Sequence, residues 1–229
     1  MGWKNRQYKR QGEAAAFPFI QWVNNGGALE PRNANDVGGF AQPLDQAQIL
    51  GAHIPGEVRA LHHRGGDATD VVFTTELAAA VLATRFSWIK DGNMLADYTP
   101  GARGKLQALV ITRDADGNAI GPAMLTFTGL AGRQFSEALN AHRESVRMAT
   151  ASEAPAYAFF GVYRSGAVEM VGNGKKSPIT TIDYGGGSNG DGGFDPDAAF
   201  VGDDALDGLD WAQIEEWETT CDGDVADNG

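Results

Sequence analysis

The chain has 229 residues, 42% of them hydrophobic and 9% aromatic, which is enough for one sizeable core and short for several domains. The net charge of −12 is unevenly placed: residues 1–184 carry all 18 Lys and Arg and 17 of the 30 Asp and Glu (18 − 17 = +1), and residues 185–229 carry the other 13 acids with no cation. A single cysteine, Cys221, excludes an internal disulfide and points to a reducing, cytoplasmic setting.

In chain order, residues 1–16 read as a basic arm carrying Trp3, Lys4, Arg6, Tyr8, Lys9 and Arg10. No uninterrupted apolar run follows, so the start does not read as a secretory signal. Neither Ala14–Val23 nor Leu77–Ala83 approaches the ~20 apolar residues of a membrane-spanning helix, and no membrane partner is expected.

Residues 17–184 read as the folded domain. Phe17–Val23 is an aromatic, β-branched strand ended by the turn Asn24-Asn25-Gly26-Gly27. Gly56–Arg64 and Asp70–Phe73 predict short strands. The Ala- and Leu-rich stretch Thr75–Thr84 predicts a short helix with a threonine N-cap. Phe86–Lys90 alternates apolar and polar, so Phe86, Trp88 and Lys90 share one strand face, opposite Ser87 and Ile89.

Lys105–Thr112 and Pro122–Thr128 flank Asp114-Ala115-Asp116-Gly117-Asn118, the clearest hairpin signal in the chain. Arg133–Met148 predicts the longest helix, with Phe135, Leu139, His142 and Val146 at helical spacing. Ala156–Tyr163, Ala167–Val171 and Ile179–Tyr184 predict strands, separated by turns at Arg164-Ser165-Gly166 and Gly172-Asn173-Gly174.

Seven or eight short strands with two helices and no regular βαβ alternation predict a mainly β fold with added helices. The expectation is an antiparallel barrel of the oligonucleotide-binding (OB) type. Residues 185–229 then read as a Gly-rich linker and a disordered acidic tail. Within the tail, Trp211, Ile214 and Trp217 repeat at three-residue spacing, which predicts a helical stripe that folds on binding a partner.

No enzyme constellation is found. Met170–Ser177 fails the P-loop pattern, because Glu169 stands where the first glycine belongs and Lys176 where Ser or Thr belongs. His62 and His63 alternate across a strand, and no metal site, catalytic residue or cofactor is expected. Asp222–Gly229 lacks the glycine and glutamate of a calcium loop.

What is present is aromatic residues interleaved with cations. Arg59, His62 and Arg64 crowd one strand end, and Phe86, Trp88 and Lys90 form a second group. Arg103 with Lys105, Tyr163 with Arg164, and Lys175 with Lys176 complete the set. Base stacking along a basic groove is how single strands are bound without sequence preference. Taken one at a time, the aromatics read better as core and the charges as a solvated rim; the collective pattern carries the binding reading.

Phe17-Pro18-Phe19-Ile20-Gln21-Trp22-Val23-Asn24, Gly38-Gly39-Phe40 and Val171–Pro178 resemble an uncharacterised bacterial and mobile-element domain family of unknown function. That resemblance covers about 17–184 and carries no catalytic residues. The layout of barrel, Gly-rich linker and acidic tail is similar to phage single-stranded DNA-binding proteins, whose tails recruit replication proteins. Those tails commonly end on an apolar residue, whereas this one ends Asp227-Asn228-Gly229.

The functional expectation is a non-enzymatic protein of DNA replication or recombination that binds single-stranded DNA or RNA. Its acidic tail would recruit replication or recombination proteins through Trp211, Ile214 and Trp217, and would compete with nucleic acid for the basic groove. The alternative is a protein-interaction or virion-associated module whose tail serves solubility.

Overall fold

The computed structural model describes residues 17–32, 37–63, 66–91, 93–172, 177–186 and 193–219. The elements are β1 (Phe19–Val23), β2 (Leu29–Glu30), β3 (Gly39–Pro43), α1 (Leu44–Leu50), β4 (Glu57–His62), β5 (Ala68–Thr74), β6 (Glu76–Lys90), β7 (Asn93–Leu95) and β8 (Arg103–Arg113). They continue with β9 (Ala119–Thr128), α2 (Leu130–Ala149), β10 (Gly161–Val171), β11 (Ser177–Tyr184), α3 (Pro196–Ala199), α4 (Asp203–Asp207) and α5 (Trp211–Thr219).

The strands form one mainly antiparallel sheet in the order β11-β10-β6-β8-β9-β1-β3-β5-β4-β2, with β7 added on β6. The pairing of β1 with β9 is parallel, with Ile20 opposite Leu125. The sheet curls into a half-barrel around α2. Its inner face contributes Ile20, Trp22, Phe40, Leu77, Ala108, Val110 and Leu125, which enclose Phe135, Ala138 and Leu139 of the helix.

Where the curled sheet returns on itself, a seam forms. The Thr180 N–H donates to the Asn24 carbonyl (2.8 Å), the Gly38 N–H to Thr180 Oγ1 (2.6 Å) and the Ser165 hydroxyl to the Gly38 carbonyl (2.6 Å). A Cβ on Gly38 would lie 1.9 Å from the Val23 carbonyl oxygen, so the seam closes only over glycine.

Several expectations are met for clear local reasons. The β8–β9 hairpin turns at Asp114, whose Oδ1 accepts from the N–H groups of Asp116 (2.9 Å) and Asn118 (2.8 Å), with Gly117 at φ 88°. The helix expected at Arg133–Met148 is α2, and Phe135, Leu139, His142 and Val146 form its buried face.

Others are corrected. Thr75–Thr84 is not a helix: from Glu76 onward it is the first part of the 15-residue strand β6. Leu77, Ala79 and Val81 pack inward on the α2 core, while Ala78, Ala80 and Leu82 pack outward in a second cluster with Phe160 and Val201. A strand covered on both faces loses its polar alternation and reads as a continuous apolar run.

Arg164-Ser165-Gly166 is not a turn but lies within β10, where the register with β11 shifts between Ser165 and Val168. The stretch from Ala156 begins as a 3-10 turn (Ala156–Ala158), and the strand starts only at Gly161. The five strands of an OB barrel are exceeded by this ten-strand path with its one parallel pairing.

The largest correction concerns the tail. Residues 193–219, expected to be disordered, form α3, α4 and α5: Ala199 of α3 packs with Val146 of α2 and Phe159, and α4 and α5 lie on the outer face of the sheet. Its sparse apolar residues are enough because the sheet's outer face supplies the complementary surface. Leu206 and Leu209 pack toward Ala80 and Ile111, and Ile214, 4% exposed, sits against Ala83 and Leu109.

Candidate nucleic-acid interface

The C-terminal part of β6 carries Phe86, Trp88 and Lys90, and a β-bulge sets the direction in which they face. The β6–β8 register shifts between Val81 and Ala83. The extra residue reverses the facing of everything after it. Ala83 and Arg85 therefore point outward, toward the tail helices, and Phe86 and Trp88 point to the inner face beside their partners Leu106 and Gly104.

The helix α2 does not cover this end of the inner face. It starts where the Gly129 N–H donates to the Gly104 carbonyl (2.8 Å), at φ 63° for Gly129, and runs away over Leu106. Three rings are left at the surface. Phe86 meets Trp88 edge-on (5.1 Å, 89°), and Trp88 meets Tyr98 (4.9 Å, 67°). Phe86 is 52% and Tyr98 59% exposed, with Trp88 half-buried between them.

Tyr98 was missed by the sequence reading, because it lies in the irregular segment after β7, where no periodicity marks a facing. Lys90 shares the face of Phe86 and Trp88 and is half-buried. Arg133 is exposed in the first turn of α2 and pairs with Glu137 (3.6 Å). No side chain caps the α2 N-terminus. Asp91 follows Lys90 and Asp97 precedes Tyr98 in sequence, so the segment that bears the rings is of mixed charge.

The other predicted contacts do not join this group. Arg103 is exposed on β8, opposite Ile89, and so on the other face of the sheet. Lys105 is only 8% exposed on that outer face, opposite Ser87. Arg59 is 3% exposed; its guanidinium donates to the Pro31 carbonyl, lies 3.7 Å from the Glu57 carboxylate and stands over the Phe73 ring. His62 lies on β4 beside the Glu30 carboxylate (3.4 Å), near the far edge of the sheet.

Tyr163 is fully buried in the α2 core, and burial drives its hydroxyl well above the usual tyrosine range. Arg164 is bound to the Glu76 carboxylate (2.5 Å). Tyr163, Arg59 and Lys105 are therefore removed from a surface platform: a long or ring-shaped side chain that reads as a contact from sequence serves as readily to fill a core. Arg64, Lys175 and Lys176 lie outside the described residues.

The tail stripe is a helix face, as its spacing predicts, but the face is occupied by the chain itself. Ile214 is buried on Ala83 and Leu109, and Trp211 packs on Tyr157 (5.1 Å). The Trp217 ring stacks under the Arg85 guanidinium (4.4 Å), and its carbonyl accepts from Arg85 Nη1 (3.2 Å). Farther along, Arg113 stands over Phe160 (4.5 Å) and donates to the Ala198 carbonyl (2.8 Å); burial lowers its pKa.

His142 is wholly buried on α2, with Nε2 3.2 Å from the Phe159 carbonyl and Nδ1 3.3 Å from the Tyr184 hydroxyl. Burial pushes its pKa below the usual histidine range, against the opposing effect of backbone hydrogen bonds. A neutral ring donating at Nε2 and accepting at Nδ1 satisfies both contacts, which describes a core histidine.

Two clefts among the described residues reach about 150 and 200 Å³, the first lined by Leu139, His142, Arg143 and Tyr157 and the second by Ile111, Pro122, Asp204 and Leu209. Small-molecule sites typically offer ~300–1,000 Å³. Among the described residues no group of three or more His, Cys, Asp or Glu is placed to hold a metal, and no helix is long and apolar enough to cross a membrane. The chain matches no protein-family model, no curated protein sequence and no solved structure.

Proposed function

We propose that the chain is a non-catalytic protein that binds single-stranded nucleic acid through the Phe86–Trp88–Tyr98 platform, with Lys90 and Arg133 at its margin, in the service of replication or recombination. One observation carries the reading. Three aromatic rings in mutual edge contact lie at a strand end that α2 leaves open, two of them more than half exposed. Rings held this way offer π-faces to bases, each stack contributing roughly 1–3 kcal/mol. Their use does not depend on a five-stranded OB barrel, only on a strand face open at one end.

The recruiting role of the tail is proposed in altered form. A partner that takes up Trp211, Ile214 and Trp217 must exchange with the outer face of β6 and β8, where these residues are docked. The test of binding is fluorescence anisotropy of labelled oligothymidine with the full chain across a salt series. Saturable binding that weakens with salt is expected; no binding at any salt contradicts the reading.

A second reading is favoured by the mixed charge. Exposed Phe86 and Tyr98, on a segment that also carries Asp91 and Asp97, suit a protein-interaction module as well, since aromatic anchors dominate such interfaces. In that case oligothymidine leaves the anisotropy unchanged.

A further inference from the structure

Gly104 stands in β8 directly opposite Trp88 of β6. A Cβ built on it would lie 2.8 Å from Phe86 Cζ, 3.0 Å from Phe86 Cε2 and 3.9 Å from Trp88 Cζ3. The first two distances are well inside the ~3.5–4.0 Å of favourable carbon contact. Gly104 has no positive φ, so a side chain here would meet no conformational barrier but would force the Phe86 ring to shift. A glycine inside a strand weakens it, and it commonly marks a close approach by another group.

Here the approaching group is the Phe86 ring, which lies over the glycine and meets the Trp88 indole edge-on. The carbonyl of the same glycine accepts the Gly129 N–H at the head of α2. One residue thus has the platform on one side and the start of the covering helix on the other. On the far flank of the indole lies Tyr98. The two ring-to-ring steps are 5.1 and 4.9 Å. An aromatic face of this kind takes a base only after the base has left its own stack, which a single strand allows and an intact duplex resists.

We propose that Gly104 is the positioning residue of the platform: the room it leaves for Phe86 sets two separated ring faces, Phe86 and Tyr98, each taking one unstacked base. The inference rests on the nucleic-acid reading and adds to it the selection of single strands over duplex.

The test is a double-mutant cycle in the full chain, comparing Gly104→Ala, Phe86→Ala and the double variant. Three properties are read: oligothymidine affinity, near-ultraviolet circular dichroism and thermal stability. Gly104→Ala should weaken oligothymidine binding about five- to a hundredfold, the worth of one stacked base. In the Phe86→Ala background the same substitution should be silent, because the clashing ring is gone. Tyr98→Ala should cost a similar factor in either background, and a blunt duplex should fail to compete.

Unchanged affinity in Gly104→Ala, an equal loss with and without Phe86, or effective competition by duplex overturns the inference. If Gly104→Ala is too unstable to titrate, the cycle is read on melting, where an equal loss in both backgrounds overturns it. An unsubstituted chain that binds no oligothymidine overturns the nucleic-acid reading and the base selection together. The positioning of Phe86 is then judged separately, by a dichroism change in Gly104→Ala that vanishes without Phe86.

Discussion

At the scale of single residues, His142 shows what periodicity reveals and what it hides. Its place on the apolar face of a helix was legible from the spacing of Phe135, Leu139 and Val146. Its two polar partners were not, because Phe159 and Tyr184 lie 17 and 42 residues away in sequence. The same limit explains Tyr163: strand alternation assigns it a face, but only the position of α2 decides that the face is buried.

Burial of His142 has a consequence for stability. Its folded-state pKa is below the ordinary 6.5, so the unfolded chain binds a proton first as pH falls. Stability is complete above that value and is lost as pH drops below it, by at most about 1.4 kcal/mol per pH unit for one proton. Denaturant unfolding between about pH 7.5 and 5.5 should show this slope, and His142→Gln should flatten it. His63, whose pKa is also lowered by burial, leaves a residual slope. An unchanged slope in His142→Gln would contradict the assignment.

At the scale of elements, β6 carries the main lesson. Its first part was misread as a helix because an Ala- and Leu-rich strand buried on both faces lacks a period of two. Its last part was read correctly, since Phe86, Trp88 and Lys90 keep alternation at an exposed end. The bulge after Val81, which turns that alternation inward, left no mark in the sequence.

The tail misled for the opposite reason. Its nine acids between 193 and 219 gave it the composition of a disordered segment, while Val201, Ala205, Leu206, Leu209, Ile214 and Trp217 dock it on apolar residues of the sheet. It follows that Ile214→Asp should lift α5 from the sheet, since a carboxylate cannot remain unpaired between Ala83 and Leu109. Limited proteolysis should then cut within 211–219 while the sheet stays resistant. Cleavage at the unsubstituted rate would show that α5 is not held by this contact. Deleting 193–219 should expose Ala80, Leu109, Ile111 and Phe160 and lower the melting temperature, an outcome not expected of a mere solubiliser.

At the scale of the whole molecule, strand order was beyond the sequence. Local pattern gives elements, but β1 pairing in parallel with β9, some hundred residues on, depends on contacts between distant parts of the chain. The seam that finishes the curl is equally non-local, and Gly38→Ala should open it. With a Cβ 1.9 Å from the Val23 oxygen, a loss of about 1–3 kcal/mol is expected in denaturant unfolding, and wild-type stability would contradict the seam.

The finished curl separates two surfaces: the open rings lie on the inner face, and α5 with its acids Glu215, Glu216 and Glu218 is docked on the outer one. The docked tail helices therefore do not lie over the platform, and any effect they have on nucleic acid acts through their field. The claim that binds these scales together is that the platform held around Trp88 receives bases. It is tested most directly by titrating oligothymidine into the full chain and into Trp88→Ala, following both tryptophan quenching and complex formation. The account predicts a folded variant whose affinity falls by roughly 1–3 kcal/mol with loss of most of the quench. Equal affinity and an undiminished quench in Trp88→Ala would contradict it.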